Sequence, residues 1–133
     1  MWFLNELSTV ASVGESDSGL VRRARVSKVL NLLSNPIIVE IQAAGVERHA
    51  THEEVASAYL GLMPESKYLF VRFDYVDVVE SSSSHIVVNA QLSTDCEFGD
   101  GKHSIRSPVL IDLVKGDDGL ELSRIVDVSK LET

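Results

Sequence analysis

Pro36-Ile-Ile-Val-Glu-Ile-Gln42 runs into Ala43-Ala-Gly-Val-Glu-Arg-His49, and that into Thr51-His-Glu-Glu-Val-Ala-Ser-Ala-Tyr-Leu-Gly-Leu62. The first stretch is short, β-branched and opened by proline, the marks of a strand. The second is polar and carries Gly45, and it reads as a turn. The third reads as a helix: Thr51 is a cap, and Glu54 three residues later completes a capping box. Glu53 and Glu54 suit the positive end of the helix dipole. Val55, Ala58, Tyr59 and Leu62 give it an apolar stripe, and Gly61 and Pro64 bracket its end.

From Lys67 onward the hydrophobic period changes to two. Strands are predicted over about Tyr68–Glu80, His85–Cys96, His103–Lys115 and Leu120–Val128. They are separated by Ser81-Ser-Ser-Ser84, Gly99-Asp-Gly101 and Gly116-Asp-Asp-Gly119. Turns this short join only antiparallel neighbours, because parallel ones need long crossovers. In the second strand Ile86, Val88, Ala90 and Leu92 alternate with His85, Val87, Asn89, Gln91 and Ser93, so one face is apolar and the other largely polar. The first strand is apolar on both faces in places, which calls for helices on one side of the sheet and a partner on the other. A homodimer through the outer sheet face is the simplest arrangement.

Upstream, Trp2, Phe3, Leu4, Leu7, Val10 and Ala11 fall near helical spacing within residues 2–13. Gly14-Glu-Ser-Asp-Ser-Gly19 breaks that pattern. A second helix fits Leu20 to Leu33, with Val26, Val29, Leu30 and Leu33 on one face. Arg22, Arg23, Arg25 and Lys28 read as its solvated side. Asn35-Pro36 ends it, since a residue before proline is pushed out of helical backbone.

The chain of 133 residues is read as one domain over 1–133, and its 44% hydrophobic content is enough for a core. The net charge of -8 sets it against a phosphate backbone, so nucleic acid is not an expected partner. Cys96 is the single cysteine, which rules out an internal disulfide and reads as a small apolar residue near a strand end. The start, Met-Trp-Phe-Leu-Asn-Glu-Leu, has no basic n-region, and no stretch reaches the ~18–20 apolar residues of a membrane span. A cytoplasmic protein that does not engage a membrane is the expectation.

The stretch from Leu20 to Val128 resembles the nuclear transport factor 2-like superfamily, which includes ketosteroid isomerases, SnoaL-type cyclases and scytalone dehydratases. The resemblance lies in element order and in Pro36-Ile-Ile-Val-Glu, Gly45 and Thr51-His-Glu-Glu-Val-Ala-Ser-Ala-Tyr59. It implies an α+β cone: a curved antiparallel four-stranded meander plus a short strand, wrapped around N-terminal helices, with a pocket between. The isomerases of that family use a general-base Asp, and alignment through Tyr59 puts Gln42 there, which cannot take a proton as a carboxylate does. They also use a helix Tyr and a late-strand acid. The helix Leu20–Leu33 has no Tyr, and Val109 or Leu110 occupies the late-strand position. Steroid isomerase chemistry is therefore disfavoured unless Glu40 replaces the base.

Three readings follow. The first is a small-molecule-binding protein with a partly apolar pocket lined by Glu40, Gln42, His49 and Tyr59. The second is a small lyase or isomerase using Glu40, or His85 or His103 with Asp74, Asp77 or Asp112, as acid and base. The third is an interaction module with a filled cone. His49-x-x-His52-Glu53 lacks the HExxH arrangement, so no metal is expected. With no phosphate loop, dinucleotide fingerprint or Ser-His-Asp signature, no cofactor is expected either.

Overall fold

The computed structural model describes residues 2–62 and 66–129. Among these residues three helices, α1 (Trp2–Ala11), α2 (Gly19–Asn31) and α3 (His52–Leu62), accompany six strands. The strands are β1 (Leu33–Ile41), β2 (Val46–Ala50), β3 (Tyr68–Ser81), β4 (His85–Phe98), β5 (Gly101–Gly116) and β6 (Gly119–Asp127). They form one sheet in the order β2-β1-β6-β5-β4-β3. The meander β3–β6 is antiparallel, as its short turns require, and β1 lies parallel to β6. The expected α+β architecture is present, with helices set in the curve of an unclosed sheet.

The core sits on the inner face. Val88, Ala90, Val109, Ile111 and Leu113 from β4 and β5 meet Phe3, Leu4, Leu7 and Ala11 of α1. These four helix residues recur at near-helical spacing and so share one face. Burying each large side chain contributes roughly 1.5–3 kcal/mol, which explains why so short a helix is held. The apolar series predicted for β4, Ile86 to Leu92, is the one that points inward.

Three boundaries differ from the sequence reading. Only Gln42–Ala44 turns, as a single 3-10 turn closed by Gly45 at φ 65, and Val46–Ala50 pairs with β1 as a sixth strand. Gly45 takes this left-handed backbone without the Cβ clash other residues meet. The second helix ends at Asn31, and Leu33 already belongs to β1. Pro36 thus lies inside a strand, between Leu33 and Ile38, where pairing with β6 is interrupted and no donor is needed. The helix stop read from Pro64, and the side chain of Leu62, lie outside the described residues.

The connection from α1 to α2 closes part of a sheet edge. Val13 N donates to Leu69 O (2.8 Å) and Leu69 N donates back to Val13 O (2.9 Å). Val71 N donates to Ser12 Oγ (2.9 Å). The basic cluster of α2 is partly structural. Arg22 donates to the carbonyls of Ser66 (2.8 Å), Lys67 (3.0 Å) and Gly14 (3.1 Å), and Arg25 to those of Thr9 (3.0 Å) and Ser12. Among the described residues no helix is long and apolar enough to cross a membrane.

Candidate functional site

Alternation along β1 sends Ile37, Val39 and Ile41 toward α3, and Ile38 and Glu40 to the opposite face of the sheet. On β2 the partners of the first set are Ala50, Arg48 and Val46, and α3 supplies Glu54, Val55 and Ala58. Between hairpin and helix lies a groove of about 410 Å³. Its walls are apolar, and Val39, Ile41 and Val46 stay 36%, 44% and 48% exposed.

One charged pair stands in this wall: Arg48 Nη2 donates to Glu54 Oε2 at 3.0 Å. The capping box holds the carboxylate in place. Glu54 N donates to Thr51 Oγ1 (3.2 Å), and Thr51 N donates to Glu54 Oε1 (3.4 Å). The hydrogen bond from Arg48, then that from the Thr51 backbone, hold the Glu54 carboxyl below its ordinary value. It is a fixed anion at neutral pH and a weak proton acceptor.

Glu40, Gln42, His49 and Tyr59 are not among the residues lining this groove. Glu40 accepts a hydrogen bond from Arg124 on the outer sheet face, and Arg124 also lies 3.4 Å from Glu47. His49 Nε2 is 3.7 Å from Glu47 on the same face. Glu40 first, and then Glu47, raise the Arg124 pKa. Gln42 is exposed in the 3-10 turn. Tyr59 packs against both clusters of the core and donates its hydroxyl to Ala11 O at 3.3 Å. Burial pushes that hydroxyl up to about 12. The fold thus brings Glu40 and His49 together outside, and places Tyr59 between helix and sheet.

Of the His–Asp combinations, His85 and Asp112 meet at 3.6 Å on the outer face. His49 and His52 diverge, since His52 Nε2 donates to Leu33 O at 2.9 Å. Among the described residues no group of three His, Cys, Asp or Glu side chains is placed to hold a metal ion. Also outside, Arg72 Nε pairs with Asp74 (3.0 Å) and Arg106 with Asp95 (3.1 Å). Ser93 donates to Asp74 at 2.7 Å, and Ser104 donates to Asp95. The serine hydrogen bonds first, then the arginines, hold both carboxyls below their usual range.

Sequence reasoning missed Val39, Ile41, Val46 and Arg48. The signal that could have found two of them is strand alternation in Pro36–Gln42, which puts Val39 and Ile41 on the face opposite Glu40. The pairing that turns them into a wall became visible only with β2.

No family model matches the sequence, and no curated protein matches it. Solved structures do match. A protein from Kribbella flavida, 12% identical, covers 99% of this chain and 88% of its own at TM-score 0.71. An NTF2-like protein with a cystatin-like fold from Novosphingobium aromaticivorans is 8% identical, with 95% and 76% covered and a TM-score of 0.64. A proposed scytalone dehydratase from the same organism is 9% identical, with 93% and 74% covered and a TM-score of 0.62. At such identities the likeness establishes the fold.

Proposed function

From its nuclear transport factor 2-like fold as premise, we propose that this chain is a small-molecule-binding protein whose groove between α3 and the β1–β2 hairpin seats a partly apolar ligand. One observation carries the reading: apolar side chains line a concave surface of about 410 Å³ with a single ion pair in its wall. Pockets of roughly 300–1,000 Å³ with apolar walls and a few placed polar groups are the usual seats of small molecules. A ligand with an apolar body and one anionic or polar end fits best. The body covers Val39, Ile41 and Val46, and the end reaches Arg48.

Binding is favoured over acid–base chemistry. The carboxylate in the groove wall, Glu54, is held ionised by Arg48 and Thr51. Glu40 and the His85–Asp112 pair stand on the other face of the sheet.

The dye 8-anilinonaphthalene-1-sulfonate, two aromatic units carrying one anionic group, tests this. At pH 7 its fluorescence should rise saturably with the native protein. Ala58→Trp, which fills the groove from α3, should weaken binding at least about tenfold, the scale of ~1.4 kcal/mol, while thermal unfolding stays cooperative. Undiminished binding by that folded variant would put the ligand elsewhere.

A further inference from the structure

Toward the β4–β5 turn, Cys96 and His103 are directly opposite each other in the ladder. Side chains so paired share a face, with Cβ atoms about 4.5–5.5 Å apart. Both line a second groove of about 390 Å³, whose walls include Leu69, Thr94, Phe98 and Ile105. Cys96 is 6% exposed and packs with Val13, Val26 and Leu69, yet its side chain forms part of the groove wall. It is a free thiol, and no hydrogen bond to it is found among the described residues.

His103 is held from behind. Its Nε2 lies 3.3 Å from Asp100 Oδ1, and its ring packs on Phe98 with centroids 5.8 Å apart. A carboxylate only accepts, so Nε2 carries the hydrogen, which leaves Nδ1 as the acceptor of the neutral ring. Cys96 and His103 face each other across the ladder, and a neighbouring imidazole oriented by a carboxylate is what activates a thiol nucleophile. Next to this pair in the ladder are Glu97 and Lys102, which alternation sends to the other face, and Tyr59 of α3 packs against the same core cluster as Cys96.

We propose that this groove is a thiol-addition site, in which Cys96 attacks apolar α,β-unsaturated carbonyl compounds while His103 carries the proton and Asp100 orients His103. The thiol proton passes to Nδ1 as the sulfur bonds to the β-carbon. The C=C electron pair moves to give an enolate, and the α-carbon takes the proton back from the imidazolium. No leaving group departs, and no oxidant or reductant is consumed. The apolar walls select the substrate, and the low exposure of the thiol disfavours small polar electrophiles that draw no energy from burial. This site is independent of the groove under α3.

The test is intact-protein mass spectrometry with 1-octen-3-one and with acrylamide, with peptide mapping of the adduct. One adduct at Cys96 is expected. The rate ratio of octenone to acrylamide should exceed that for glutathione at least about tenfold. His103→Gln should slow addition at least about tenfold at pH 7, the lower end of what a positioned base supplies, and alter the pH profile. Asp100→Asn should slow it less. Ile105→Trp, which narrows the groove, should slow octenone more than acrylamide. Addition no faster than global unfolding, or a folded His103→Gln with the native rate and pH profile, overturns the proposal. If His103→Gln does not fold, the rate ratio and Ile105→Trp decide, and a glutathione-like ratio unchanged by Ile105→Trp overturns it equally.

Discussion

Tyr75 has φ 55 and is 83% exposed, where β3 slips register against β4 between Asp74 and Asp77. Left-handed backbone costs a non-glycine residue roughly 1–2 kcal/mol, and a ring so exposed recovers little by packing. Glycine in a strand costs only about 0.5–1 kcal/mol in chain entropy. Tyr75→Gly should therefore leave stability unchanged or raise it by up to ~1 kcal/mol, and Tyr75→Val should lower it, as urea midpoints would show. A clear loss with Gly would mean that the ring packs against something in solution. This position was not legible in the sequence: Val76, Val78 and Val79 surround it with apolar side chains of both parities, which hides an inserted residue. The face of Glu40 was more accessible, because period two separates it from Val39 and Ile41. Its partner Arg124, brought from β6, was not.

The helices and strands themselves were readable because each carries its own period. The capping box at Thr51 and the glycine hairpins sharpened their ends. What escaped were features set by neighbours. The segment Val46-Glu-Arg-His-Ala50 has the charges of a turn and becomes an edge strand through pairing with β1. The basic side of α2 reads as solvated, yet Arg25 caps the carbonyl end of α1 through Thr9 and Ser12. Cations favour such an end both by hydrogen bonding and through the helix dipole. Hydrogen bonds from a charged group contribute about 1.5–3 kcal/mol when buried and less when wet. Arg25→Ala should cost about 1–2 kcal/mol in chemical unfolding, whereas Arg23→Ala, on the exposed side, should stay within about 0.5 kcal/mol. Equal effects would deny Arg25 its capping role.

Across the whole molecule, several carboxyls titrate low for different local reasons: Asp74 and Asp95 through serines and arginines, Asp127 through Ser129, and Glu54 through Arg48. A carboxyl lowered by folding binds its proton more readily in the unfolded chain. Stability is then fully present above the ordinary values of 3.8 and 4.5 and drains away as pH falls through the lower native ones. Tyr59 acts at the other end: raised from 10.0 to about 12, it withdraws stability as pH climbs above 10. Urea midpoints should be flat from pH 5 to 9 and fall on both sides, and Asp74→Asn with Asp95→Asn should shallow the acid limb. A midpoint constant down to pH 3 would remove these carboxylates from the balance. The parallel pairing of β1 with β6 also has a consequence in time. During synthesis α1, α2 and the β1–β2 hairpin emerge first, but β6, the neighbour on the other side of β1, emerges after every other strand of the sheet. The inner face of the growing sheet stays incomplete until Gly119–Asp127 has left the ribosome. The β1–β2 hairpin can pair early but must wait undocked for β6, and pairings this distant in sequence slow folding.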